Sequence, residues 1–159
     1  MVAGKTKKKT RIQKLIIYGA NCSHKVLVAS WHGPYVASNA DKVKLLTQLL
    51  HEIISCNKDE LPVIIGGDFN LTYSKICADI LHSGFEAAAV QLSPRKAGQK
   101  WCVYDGFIYK SGRQSAIEVR SAEWVENKEM TDHDPISAEI VFRPVTGQPV
   151  VDQLVTIVV

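Results

Sequence analysis

The sequence has no apolar run approaching the roughly 18 to 20 residues needed to cross a bilayer. Its first stretch, MVAGKTKKKTRIQK, lacks the apolar segment of a secretory signal. Together these absences make an intracellular location, cytoplasmic or nuclear, the expectation. Cysteine is scarce. Cys22, Cys56, Cys77 and Cys102 are widely spaced, and no two form a C-x-x-C pair. That argues against a zinc knuckle or a dense disulfide scaffold, and the expectation is free, mostly buried thiols. No internal repeat is visible, and no low-complexity segment beyond the Lys-rich start. Acid is missing from residues 1–14, which hold six Lys or Arg.

What is present fits one domain. The chain has 159 residues, 46% of them hydrophobic and 22% charged, enough to bury a core. The net charge of +3 hides an asymmetry, because the residues after position 14 hold 13 basic against 16 acidic side chains. The folded part is therefore mildly acidic and the leader basic. Such a leader suits nucleic acid, an anionic membrane or an import receptor, and its plainer reading is a disordered, solvated tail.

KLIIYG (14–19) and KVLVAS (25–30) are short, apolar and β-branched, so a hairpin or adjacent strands are expected. Gly33 and Pro34 in WHGPY then break regular structure. From Ser38 the period changes. Ser38 or Asn39 suits an N-cap, and Leu46, Leu49, Leu50, Ile53 and Ile54 recur at helical spacing as far as about Cys56. PVII (62–65) reads as a strand covered on both faces. A short helix over 74–82 ends at Gly84, and strands follow over about 85–92, 100–109, 116–124 and 136–142. The tail RPVTGQPVVDQLVTIVV ends in a β-prone run that fits an edge strand, a linker stub or an uncovered end. The class is mixed α/β, a single layered domain.

Four stretches at strand ends carry the polar chemistry. They are His32 in SWHGP, Asp68 and Asn70 in GGDFN, Asp105 in VYDGF, and Asp132 with His133 in TDHDP. Asp68 and Asn70 share a face if the strand persists, and a carboxylate beside an amide suits a hydrated cation or a phosphate oxygen. Histidine is the proton carrier near neutral pH. Asp105, an acid inside an apolar strand, needs a partner or water, and a histidine partner would be oriented by it. His32 suits a phosphate or a metal. Read singly, each stretch also fits a turn, a cap or a solvent-facing position, and His32 also fits packing beside Trp31. Trp31, Trp101 and Trp124 fit core packing or stacking on bases.

Taken together, LPVIIGGDFN, VYDGFIY and TDHDPISAEI, in that order and preceded by VLVASWHGPY, resemble the hallmark blocks of the endonuclease/exonuclease/phosphatase superfamily. The resemblance spans roughly Leu15 to Phe142. It implies a deoxyribonuclease I-like α/β (α+β) layered sandwich and a divalent-metal phosphoesterase using Mg²⁺ or Mn²⁺, with nucleic acid or another phosphate ester as substrate. By the same resemblance, His133 acts on the attacking water or scissile phosphate and Asp105 orients its ring. Asp68 and Asn70 handle the nucleophile and phosphate oxygens, Asp132 and Asp68 lie at the metal, and His32 matches a second, phosphate-binding histidine. A calcineurin-like metallophosphatase is set aside, since neither D-x-H nor G-N-H occurs.

The chain also departs from that pattern. It supplies about half of the family's sandwich, and no glutamate precedes His32 to match the family's metal-binding glutamate. Residues 1–11 read as a flexible basic leader, 12–143 as a partial domain of this type, and 144–159 as a tail of unknown structure. A fragment of a longer reading frame, a short paralogue that has lost metal binding, and a site completed by a second polypeptide all fit. The alternative to a hydrolase is a catalytically inactive remnant of the fold acting as a binding module. A half-sandwich would also leave a sheet face uncovered.

Overall fold

The computed structural model describes residues 11–18, 25–80, 83–90, 104–125, 135–145 and 153–158, with the backbone alone for 11–18, 144, 153 and 154. Strands β1 (Arg11–Tyr18) and β2 (Lys25–His32) form an antiparallel pair. Helix α1 (Asn39–Cys56) then crosses over to β3 (Val63–Asp68), which runs parallel to β2. Ser38 caps α1. Its Oγ accepts from the Asp41 N–H at 3.2 Å and donates to Asp41 Oδ2 at 2.7 Å, so the acid also sits at the positive end of the helix.

Helix α2 (Tyr73–Ile80), β4 (Glu86–Ala89) and β5 (Asp105–Lys110) follow, and the first sheet has the order β1-β2-β3-β5-β4. The second sheet has the order β6-β7-β8, from β6 (Ser115–Trp124), β7 (Ile136–Pro144) and β8 (Gln153–Val158), all antiparallel. The β-prone end of the chain is thus an edge strand.

Alternation along β2, β3 and β5 divides two cores across the first sheet. Ala29, Trp31, Val63, Ile65 and Ile108 face α1 and α2, and pack on Leu46, Leu49, Leu50, Ile53, Ile76 and Ile80. Val26, Val28, Ile64, Phe107 and Tyr109 face the second sheet, and pack on Ile117, Ala138, Ile140, Phe142 and Ile157. The order of layers is helices, sheet, sheet. β3 is apolar along both faces because it lies in the middle of all three, as its sequence predicts.

The opposite face of the second sheet is mixed where described. Glu118 and Arg143 form an ion pair at 2.6 Å, and Glu139 and Thr156 are exposed, while Val141 between them is fully buried and Val158 is exposed. The sheet face that a half-sandwich was expected to leave uncovered thus carries charged groups beside its apolar ones. The cysteines correct another expectation. Both described thiols are free, but Cys56 is exposed at the last residue of α1 and Cys77 is half-buried. Cys22 and Cys102 lie outside the described residues.

Candidate active site

The central strands of the first sheet run out of core at one end. Val28, Ile64 and Tyr109 form one register row across β2, β3 and β5, and all three are buried. Two residues along, Ser30, Gly66 and Phe107 form the next row. The row after that is His32, Asp68 and Asp105. Each pair in it consists of lateral neighbours on strands about 4.8 Å apart, with side chains on the face toward the second sheet. Burial falls along this progression, with His32 exposed and both acids half-buried. A buried strand thus ends by presenting its carboxylate at the rim of the sandwich, where water can solvate it.

β2 continues through Trp31 and His32, beyond the strand read from KVLVAS, because Trp31 is buried toward the helices and carries the alternation onward. Asp105 is the first residue of β5 rather than an acid in mid-strand, and exposed Tyr104 precedes it.

Beyond Asp68 the strand does not persist. The ladder closes with Gly33 N–H donating to Asp68 O at 2.7 Å and Phe69 N–H donating to Tyr104 O at 2.8 Å. Asn70 then adopts a left-handed conformation, φ 50°. Asp68 and Asn70 are brought together by this turn, not by strand alternation. Asp68 Oδ1 accepts from the Asn70 N–H at 2.7 Å, and Asp68 Oδ2 accepts from Asn70 Nδ2 at 3.2 Å. Asn70 Nδ2 also donates to Gly33 O at 3.0 Å. Both amide hydrogens of a side chain only 8% exposed are thereby committed, and its Oδ1 is the group left to receive a hydrogen bond. Asn is among the few non-glycine residues that tolerate this backbone region, so the amide and the turn suit each other.

Two residues that sequence reasoning did not assign to the site complete its frame. Gly33 read only as a break in regular structure. A Cβ there would collide with the carbonyl of Phe69, so only glycine lets the β2–α1 loop pass against the turn. Lys42, on the first turn of α1, donates from Nζ to Asn70 O at 3.0 Å. No local pattern signals a partner 28 positions away.

Asp132 and His133 lie outside the described residues. The ends of the segment carrying them are joined, with Val125 N–H donating to Pro135 O at 2.8 Å. Among the described residues no group of three or more His, Cys, Asp or Glu side chains is placed to hold a metal ion. Asp68 accepts from Asn70 with both oxygens, and each keeps a further lone pair. Asp132 lies outside the described residues, so Asp68 is the described part of the donor set for the divalent cation that the motifs imply. Trp31 is a core residue, and Trp124 packs against the inter-sheet core. Trp101 lies outside the described residues.

The fold recurs in solved structures. The chain is similar to an endonuclease/exonuclease/phosphatase family protein from Bacteroides thetaiotaomicron, with TM-score 0.57 and 12% identity over 76% of this chain and 51% of that one. The fold is that of the endonuclease/exonuclease/phosphatase proteins. D. rerio TDP2 complexed with single-strand DNA product shares this fold at TM-score 0.57 and 13% identity, over 79% of this chain and 56% of that one. So does a Bacteroides thetaiotaomicron mannosyl-6-phosphatase, at TM-score 0.52 and 16% identity, over 75% of this chain and 52% of that one. The chain spans about half the length of these endonuclease/exonuclease/phosphatase structures, as the motif pattern anticipated. No protein-family model and no curated protein matches the sequence.

Proposed function

We propose that the chain carries the phosphate-handling half of a phosphoesterase that cleaves phosphodiesters of nucleic acid by attack of water. The observation that carries this reading is the row His32, Asp68 and Asp105 across three strands at one rim, closed by the locked amide of Asn70. Phosphoryl transfer rewards positioning and charge complementarity above all.

In this reading the attacking water is held by an acceptor, and Asn70 Oδ1 or an Asp68 oxygen supplies one. His133 holds the proton that the water loses, and Asp105 orients its ring and supports its charged form. His32 donates to a phosphate oxygen. A divalent ion, Mg²⁺ or Mn²⁺, would neutralise phosphate charge when bound, with Asp132 and Asp68 as its candidate ligands. Nucleic acid is favoured among substrates by the basic stretch at residues 5–14. No described helix is long and apolar enough to cross a membrane.

A second reading has its own support. No glutamate precedes His32, and no three-ligand group is present among the described residues. Both suit an inactive remnant that binds phosphate esters without cleaving them.

One experiment separates the two. Plasmid DNA, single-stranded RNA, an abasic duplex and an inositol polyphosphate are incubated with the purified chain, with Mg²⁺ or with EDTA, beside His133→Ala and Asp105→Asn. The hydrolase reading expects cleavage of a nucleic acid that falls by about 100-fold or more in His133→Ala. Folded protein that cleaves nothing would establish the remnant instead.

A further inference from the structure

We infer that Lys42 is a positioning residue for Asn70, an inference that rests on the phosphoesterase reading above. The left-handed turn at Asn70 is held from two sides. On one, Gly33 O and Asp68 Oδ2 take the two amide hydrogens. On the other, the Lys42 ammonium reaches from the first turn of α1 to the Asn70 carbonyl at 3.0 Å. Lys42 is half-buried, and among the described residues it has no carboxylate within ion-pair range. Its charge is thus directed to a backbone oxygen at the site, and a hydrogen bond from an ionised donor is about twice as strong as a neutral one.

The chemistry explains why such a brace matters. Asn70 offers the site only Oδ1, since its hydrogens are spent inward. The direction of that oxygen follows from the backbone at φ 50° and from the two inward bonds. A left-handed non-glycine residue is held by its surroundings, not by its own preference. Lys42 fixes the carbonyl side of this peptide, so the turn cannot relax by rotating the carbonyl away. It also ties α1 to the site, and α1 is anchored in the helix-side core by Leu46, Leu49, Leu50 and Ile53. Phe69 and Leu71, on either side of Asn70, are buried in the same core, and the ammonium adds a polar tie at the peptide between them.

The test uses Lys42→Met, Lys42→Arg and the unmodified chain, with two readouts. The first is hydrolysis of the best substrate from the panel above. Lys42→Met is expected to lower kcat about tenfold or more with KM changed less than about twofold, as for misplacement of a reacting group without lost binding. Lys42→Arg, which keeps the donor, is expected to restore most of the loss. The second readout is the side-chain amide pair of Asn70 in the ¹H–¹⁵N spectrum, assigned by its loss in Asn70→Asp. In the unmodified chain and in Lys42→Arg this pair is expected to exchange slowly with solvent. In Lys42→Met it should exchange faster and shift, while Ile64 and Ile65 amides in the same sheet keep their positions. An Asn70 amide pair that Lys42→Met leaves unmoved overturns the inference, whether or not the chain hydrolyses anything. An unmodified chain that cleaves no ester overturns the hydrolase reading instead, and the amide pair still decides the role of Lys42.

Discussion

At the scale of single residues, the rim is made by side chains that can be small or left-handed. Gly67 sits between Ile65 and Asp68 at φ +135°, and a Cβ there would run into the carbonyl of Trp31 on the neighbouring strand. Gly67 lets β2 and β3 stay in register to the last pair, His32 with Asp68. Gly67→Ala combines an unfavourable backbone angle with a collision against rigid backbone, so it is expected to cost about 2 to 4 kcal/mol. Urea denaturation checks this, and a midpoint equal to that of the unmodified chain would contradict it. That His32, Asp68 and Asp105 stand at strand ends, with Asn70 just beyond one of them, was legible from the sequence. Their arrangement was legible only in part. Two-residue spacing put Asp68 and Asn70 on one strand face, but the turn joins them because both Asp68 oxygens accept from Asn70. Lys42 was illegible, since a lysine on a helix's first turn is by pattern a solvated residue.

At the scale of elements, apolar patterning located the elements that bury a full apolar face and left the last edge strand ambiguous. α1 and β3 read clearly because Leu46, Leu49, Leu50 and Ile53 and the run from Val63 to Ile65 are all buried. β8 was ambiguous because an edge strand has one paired neighbour and little local signature. The β4–β5 pair yields a pH prediction. Tyr109 is buried on β5, and its hydroxyl donates to Glu86 Oε2 on β4 at 3.1 Å. Burial first, then the Glu86 hydrogen bond and charge, push the phenol up to about 12 from 10.0. The folded state thus keeps its proton longer than the unfolded one. This stabilisation is complete below pH 10 and is lost as pH rises toward 12. Stability measured by urea denaturation between pH 9.5 and 11.5 is expected to fall, and more steeply than in Tyr109→Phe. Equal slopes in the two proteins would contradict the assignment.

At the scale of the whole molecule, the three layers explain why one rim collects the polar groups. The first sheet is buried by helices on one side and by the second sheet on the other. Its central strands can therefore carry charge only where they emerge, and the parallel β2–α1–β3 unit brings the ends of two of them to the same edge. The layering was legible from the alternation of strand and helix signals. The charged groups on the outer face of the second sheet were not, because the resemblance alone suggested a half-sandwich with a bare face. The proposed site for the phosphate ester is the row His32, Asp68 and Asp105, with Asn70. The most direct test is a ¹H–¹⁵N titration of the chain with a hydrolysis-resistant thymidine phosphorothioate dinucleotide, with Mg²⁺ and with EDTA. The account predicts saturable shifts concentrated at His32, Asp68, Asn70 and Asp105. Saturable shifts centred elsewhere, or none at millimolar ligand, would contradict it.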